Sequence, residues 1–315
     1  MKIPVRIIVC GILLTWLCAS AGSFAQEKSE RPKKSETIDA AAEPAAAGPL
    51  LWKVTSPTST TFLFGSIHFA TEEIYPLPDK IEAAFDAAEH LVVELNVGPE
   101  KQAELAQMMM ASGSYVTEES LTDHVSDEIE GQLNRYLTAI GVPAEAFNKF
   151  KPWLVALTIS VMELQKLGLD PSLGIDQHFL GKARGSKPIL ELETAEEQLA
   201  VFDSLSETMQ QLMLKKTLLE IDRIGVEMRQ MVDAWSRGDA AAMQELMFRS
   251  LKEAPELKPF FDKMFTERNI KMTDKITGFL GSDSTYFVVV GAGHLVGDDG
   301  IVALLKGKEY SVERQ

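Results

Sequence analysis

Apolar and polar positions divide the chain into two β-rich ends around a helical middle. Near the start, Leu51-Trp52-Lys53-Val54 and Thr61-Phe62-Leu63-Phe64 flank the turn-forming cluster Ser56-Pro57-Thr58-Ser59, which predicts a β-hairpin. Residues 78–89 predict a helix, with Pro78 at its start and Asp79 and Glu82 in the first turns, where the positive end of the helix favours acids. Leu91-Val92-Val93-Glu94-Leu95 is a short apolar run of the kind buried in a sheet. Strand, helix, strand in that order predicts a parallel βαβ unit with a right-handed crossover.

The middle of the chain carries helical periodicity or helix-favouring composition at residues 100–110, 126–140 and 153–167. The third is apolar nearly all round and reads as a buried core helix; it is too short for a membrane span and is flanked by Lys151-Pro152 and Lys166. A helix at 175–183, a strand at 188–192 and a helix at 194–202 follow. One long helix is expected over 207–235, then helices at 240–251 and 256–280. The β-branched and aromatic run at 285–290 is the clearest strand, and a helix at 301–305 and a strand at 310–314 close the chain. The expected class is α/β: a mixed sheet built from both ends of the chain, with a large helical insert beside it.

The N-terminus modifies this picture. Lys2 and Arg6 precede an apolar run from Ile7 to Cys18, and Ser23-Phe24-Ala25 supplies small residues at a cleavage site. Residues 1–25 therefore read as a secretory signal peptide, with an uncleaved anchor as the alternative. Residues 26–48, a charged stretch followed by an Ala/Pro stretch, have too few large apolar side chains to offset the entropy of ordering and read as a disordered linker. The folded domain is expected over 49–315, periplasmic or secreted after cleavage, with no stable membrane insertion.

Both cysteines, Cys10 and Cys18, lie in the signal, so the mature chain has no thiol or disulfide, and any metal must be held by His, Asp, Glu or Asn. Loss of Lys2 and Arg6 takes the formal charge from −15 to −17. So anionic a chain, with no basic patch, argues against a nucleic-acid partner.

Chemistry concentrates in a repeated turn. Strand Phe62-Leu63-Phe64 runs into Gly65-Ser66-Ile67-His68, and strand Phe287-Val288-Val289-Val290 runs into Gly291-Ala292-Gly293-His294. Each places a glycine, which allows positive φ and a close backbone turn, at the end of the strand and a histidine three residues on. That position, outside the carboxyl end of a strand, is where open α/β sheets hold ligands. A lone Gly-x-x-His is commonly a structural turn; two copies, each after a buried-type strand, point to a site.

Glu94 ends the strand that follows the first copy, which puts it at the same edge. It reads either as a cap or ion-pair partner or as a site carboxylate, because a carboxylate in an apolar strand is costly without a partner. Two imidazoles and a carboxylate form a divalent-metal set that could acidify a bound water. His90 and His124 read as surface residues, His178 (beside Asp176 on a helix) reads either way, and Met108-Met109-Met110 reads as core filling. No P-loop, Gly-x-Gly-x-x-Gly, Gly-x-Ser-x-Gly or His-Glu-x-x-His is present.

An ordered set of stretches resembles the TraB/GumN family, which includes the Tiki-type metalloproteases: Leu51-Trp52-Lys53-Val54, Phe64-Gly65-Ser66-Ile67-His68, Pro76-Leu77-Pro78, Val92-Val93-Glu94-Leu95, Lys151-Pro152-Trp153, Gly174-Ile175-Asp176, Leu192-Glu193-Thr194 with Gln198, Arg268-Asn269, and Val290-Gly291-Ala292-Gly293-His294-Leu295. The resemblance implies a fold akin to erythromycin esterase and the ChaN-like haem-binding proteins, and a cleft carrying both histidines and the strand-end glutamate. It implies His68, Glu94 and His294 as metal ligands or catalytic groups and Arg268 as a catalytic candidate able to stabilise a developing oxyanion. Asp176, Asn269, Gly65 and Gly291 would support them. Apart from the resemblance, Arg268 reads as an ordinary surface arginine on a helix.

Three functions are consistent with these residues. The first is an exported, divalent-metal-dependent hydrolase (Mn, Co or Zn), foremost a peptidase, with a peptide or small-molecule substrate. The second is a protein that holds a metal or haem-like ligand without turnover. The third is a metal-free esterase in which His68 or His294 is the general base and Glu94 its partner.

Overall fold

The computed structural model describes residues 48–315. The expected signal peptide, both cysteines and the linker up to residue 47 lie outside the described residues.

The hairpin forms as expected, from β1 (Leu51–Thr55) and β2 (Thr60–Ser66) in antiparallel register. Helix α1 (Asp79–Ala87) leads to β3 (His90–Val93). The insert follows as α2 (Gln102–Gly113), α3 (Asp127–Ala139), α4 (Pro152–Lys166), α5 (Ile175–Ala183), the short strand β4 (Ile189–Glu191), α6 (Ala195–Asp203), α7 (Glu207–Glu220), α8 (Ile224–Ser236), α9 (Ala240–Glu253), α10 (Lys258–Phe261) and α11 (Glu267–Leu280). The chain then returns to the sheet through β5 (Thr285–Gly291), one helical turn α12 (Ala292–Leu295), α13 (Ile301–Gly307) and β6 (Ser311–Arg314).

The six strands form one mixed sheet in the order β4-β3-β5-β2-β1-β6. The four strands β4, β3, β5 and β2 run parallel, and β1 and β6 add an antiparallel margin. Both ends of the chain thus meet in one sheet. The central strands are buried on both faces, which is why 287–290 and 91–93 read as continuous apolar runs and not as alternation. The edge strand β6 alternates exposed and half-buried positions.

The insert is fastened to the sheet by aromatic packing and by polar ties. Phe64 of β2 contacts Phe179 of α5, Trp235 of α8 and Phe287 of β5 at centroid distances of 5.8, 6.1 and 5.9 Å. The Trp235 indole N–H donates to the Gly65 carbonyl at 2.6 Å. Helix α4 is the buried core helix that its composition predicted, with Trp153 stacked on Phe202. Among the described residues no helix is long and apolar enough to cross a membrane.

Two expected long helices are broken. The segment 207–235 is interrupted by a 3-10 turn at Ile221–Arg223, which redirects the chain so that α8 packs on both α4 and α9. Gly225 follows the break because Leu167 of the α4 end occupies the space a Cβ would need. The segment 256–280 begins as a 3-10 turn (Pro255–Leu257) and α10, then passes through a π-helical turn at Asp262–Thr266 before α11. Gly225 lies just after the first break and Pro259 just before the second, yet the apolar periodicity runs through both.

Gly174 is a packing requirement. A Cβ there would run into the His68 carbonyl oxygen, while the next N–H, of Ile175, donates to the Ile67 carbonyl at 3.0 Å. We expect Gly174→Ala to destabilise the protein by about 2 kcal/mol, because backbone must move. Gly278→Ala, in open space on α11, should stabilise it by about 0.5–1 kcal/mol. Urea unfolding of the two variants beside the parent checks both signs.

Candidate functional site

Because β2, β3, β4 and β5 are parallel, their carboxyl ends share one edge, and the residues just beyond them converge there. His68 follows β2, Glu94 follows β3, Glu193 follows β4, and His294 lies in the single turn of α12 after β5. All four side chains are buried.

The two Gly-x-x-His segments share a position but not a conformation. Gly65 and Ser66 are still in β2, paired with Val290 and Gly291, whereas Ala292 onward coils into α12. Neither Gly65 nor Gly291 has positive φ, contrary to the reason first given for them. What the structure requires of them instead is room for the close approach of neighbouring groups. A Cβ on Gly65 would sit 3.1 Å from the Leu50 Cβ and 3.2 Å from the Ala292 Cα. A Cβ on Gly291 would sit 3.3 Å from Glu94 Oε1, 3.4 Å from His68 Nε2 and 3.6 Å from His294 Cδ2. Gly291 therefore leaves open the point on which the two imidazoles and the carboxylate converge.

Each imidazole is fixed through its Nδ1. His68 Nδ1 lies 2.7 Å from Asp176 Oδ2, and Ser66 Oγ donates to Asp176 Oδ1 at 3.0 Å. A carboxylate accepts, so His68 Nδ1 carries the proton and Nε2 is left with its lone pair in the neutral ring. His294 Nδ1 lies 2.5 Å from Asn269 Oδ1, while Asn269 Nδ2 donates to the Asp299 carbonyl at 2.8 Å. That carbonyl can only accept, which sets the amide orientation and makes His294 Nδ1 a donor as well. Both Nε2 atoms are buried without a hydrogen-bond partner.

Arg268 organises the acids. Its Nε and Nη2 grip Glu193 at 2.8 and 2.5 Å, and Nη2 also donates to Glu94 Oε2 at 2.8 Å. Glu94 Oε1 accepts the Gly291 N–H at 2.6 Å and lies 3.8 Å from His294 Nε2. Gln198 Nε2 supports Glu193 at 3.1 Å. Arg268 and Asn269 are adjacent on α11, directly after the π-helical turn, and both are buried, so the surface-arginine reading is overturned. Extra turns of this kind often mark functional positions in helices.

Glu193 and Ser66 were not singled out from the sequence as site residues. Glu193 carries a signal that could have found it: an acid just after a short parallel strand, as at Glu94. Its position follows from the backbone pairing of Leu192 with Val93 and of Glu193 with Glu94, which continues past the strand ends. The remaining histidines lie elsewhere. His90 stacks on Tyr286, His124 stacks on Tyr115, and His178 meets Glu82 and Tyr75; each is partly buried, not fully on the surface.

Electrostatics separates the two imidazoles. For His68, burial pulls the pKa down, but the Asp176 charge and hydrogen bond, aided by Glu94, more than offset it and raise the pKa above the ordinary value. His294 is pushed well below the ordinary value by burial and then by the positive Arg268 and His68, so it is neutral at pH 7. Among the acids, burial raises Glu94 despite Arg268, whereas the two-pronged Arg268 contact outweighs burial and lowers Glu193.

Among the described residues, no three or more His, Asp or Glu side chains stand together as a ready metal-ligand cluster. The donors still fit a divalent ion in kind and protonation state. His68 Nε2 and Glu94 Oε1 border the Gly291 space, His294 Nε2 lies 3.8 Å from that oxygen, and each imidazole is oriented through its other nitrogen, as metal-ligating histidines usually are.

Fold and site together define an α/β protein with a buried His-His-Glu cluster at the carboxyl edge of a mixed sheet, its glutamate held by one arginine. The chain belongs to the TraB/PrgY/gumN family, whose model matches residues 50–314. It is similar to the uncharacterized protein YbaP of Escherichia coli (strain K12), at 26% identity over 80% of this chain and 90% of that protein. It is also similar to the metalloprotease TIKI homologs of Amphimedon queenslandica (22% identity, 84% of this chain) and Nematostella vectensis (21% identity, 84% of this chain). The chain spans 61% and 66% of those two proteins. No solved structure matches the chain.

Arg268→Met should leave two buried carboxylates without their cation and cost about 3–5 kcal/mol. The sign with pH follows from the loss of the group that lowers Glu193: both carboxyls would then titrate above their unfolded values. The folded variant would bind more protons than the unfolded chain, so its stability falls as pH rises. The deficit against the parent, measured by urea unfolding, should be smaller at pH 5.5 than at pH 7.5.

Proposed function

We propose that this chain is an exported hydrolase, foremost a peptidase, whose reaction takes place at His68, Glu94 and His294 with a divalent metal ion. The observation that carries the reading is the pair of buried, partnerless Nε2 atoms beside Glu94: His68 Nε2 and Glu94 Oε1 border the space left by Gly291, and His294 Nε2 lies 3.8 Å from that same oxygen. The similarity to proteins described as metalloproteases supports the same class.

His68 and His294 would hold the ion through Nε2, with Glu94 Oε1 as the third donor. A divalent ion so held would acidify a bound water near neutral pH. The rest falls to the chain's own residues. Asp176 keeps the His68 proton on Nδ1, and Asn269 does the same for His294. Arg268 holds Glu94 in place and puts a fixed positive charge where a developing oxyanion can be stabilised. The site is buried, which strengthens these charges by excluding water. The signal-like N-terminus and the absence of cysteine after it support work in a periplasm-like or extracellular space.

A metal-free reading rests on the His68–Asp176 pair. His68, held by Asp176, would take the proton from water directly, and Asp176 would stabilise the imidazolium.

Purified protein should contain close to one divalent ion per chain, lost in His68→Ala and His294→Ala, with cleavage of a peptide library reduced at least about 100-fold in each. Asp176→Asn should bind the ion about 10–100-fold more weakly while remaining folded. Cleavage that survives chelation selects the metal-free reading; metal binding with no cleavage would leave a binding protein. Unchanged metal content and activity in both histidine variants would remove the site.

A further inference from the structure

Beside His68 lies a cleft, partly open to solvent, that the site chemistry does not use. One side is built from the helical insert. Met228 and Met231 lie three residues apart on α8, and Met243 and Met247 lie four apart on α9, so each pair shares a helix face. Leu164 of α4 and Phe69 complete that side. The opposite wall is made by the two Gly-x-x-His turns, through Ser66 to His68 and Ala292-Gly293. His68 is the only titratable residue among those lining the cleft.

From this arrangement we infer that the cleft is the subsite for an apolar substrate side chain, and that the substrate of the hydrolase proposed above is a peptide with an aliphatic residue next to the bond that is cut. The inference rests on that reading of the site. A carboxylate in the cleft would lose its water against walls whose one titratable residue, His68, is already paired with Asp176, which is unfavourable. An apolar group would displace water onto a surface of thioethers and aliphatic carbon. The wall shared with His68 places the backbone of a seated residue against the reacting groups. The choice of methionine sets the selectivity. Four unbranched, flexible side chains can repack around different shapes, so straight and branched aliphatic residues are both accepted and charged ones are refused. The closed space at the base of the cleft is small, about 30 Å³, so an aliphatic side chain is seated by repacking of the flexible methionines.

The test uses the full chain with methyl-labelled methionine, its signals assigned by single Met→Leu variants. The probe is N-acetyl-norleucine amide and the control N-acetyl-glutamate amide. The norleucine probe should shift the methyls of Met228, Met231, Met243 and Met247 and leave that of Met110, which is 40% exposed, unmoved. The glutamate control should shift none. In parallel, peptides differing only in Leu or Glu at one position are offered. The leucine peptide should be cleaved at least about tenfold faster, a preference retained in Met247→Leu and reduced in Met247→Lys. If the norleucine probe shifts the four methyls and no peptide is cut, the hydrolase reading falls and the apolar subsite stands. If peptides are cut with equal rates, or the four methyls stay still, the subsite is overturned and the hydrolase reading is untouched. The methyl measurement is made on the parent protein, so a lysine variant that fails to fold does not decide the outcome.

Discussion

The site depends on one buried cation. Arg268 joins α11 to residues just beyond two different strands, gripping Glu193 after β4 and reaching Glu94 after β3. Desolvating a guanidinium and two carboxylates is costly, and such a cluster often contributes little net stability over well-packed apolar residues. What it supplies is a fixed position. Glu94 has one oxygen held by Arg268 and the other by the Gly291 N–H, so it cannot rotate away from the imidazoles. The arrangement needs parallel strands, because only then do β3, β4 and β5 deliver their ends to one edge. It also needs the insert to return a helix start to that edge, which α11 does immediately after its π-helical turn.

Much of this was legible in the sequence, for reasons of period. Continuous apolar runs marked the buried strands, turn chemistry marked the hairpin, and strand order put His68, Glu94 and His294 on one edge. Periodicity reports which face is buried and says nothing of where an axis bends. The breaks at Ile221–Arg223 and Asp262–Thr266 keep the apolar stripe intact and change only its direction, so one helix was read where the chain makes two. Arg268 and Glu193 were hidden for a related reason. Each is a charge whose partner is distant in the chain, by 75 residues in their own contact, and no local pattern reveals that pairing. Only their place in an ordered set of family-like stretches raised Arg268 above a surface residue.

The glycines illustrate how a correct residue can be assigned an incomplete cause. Gly65 and Gly291 were read as permitting positive φ and a close backbone turn; neither has positive φ, and what they permit is the close approach of neighbouring groups. The distinction changes what the residues do. A positive-φ glycine shapes its own turn, whereas Gly291 is small so that three other side chains can meet beside it. Gly174 has the same role one layer out: its missing Cβ lets α5 start against the His68 backbone, and that start is where Asp176 takes hold of the ring.

The two histidines, alike in motif, end in different electrostatic states because their partners differ in charge. His68 is paired with a carboxylate and lies toward the cleft; His294 is paired with a neutral amide, fully buried, and lies under Arg268 and Phe265. A site built from two equivalent bases would have used the same partner twice. Here the ring nearer the apolar cleft is the one that can gain a proton as well as donate a lone pair, while the deeper ring stays neutral. That asymmetry orients the pocket. Of the two imidazoles, only the titratable one lines the methionine side, while the neutral imidazole and the arginine-held carboxylate lie outside that lining.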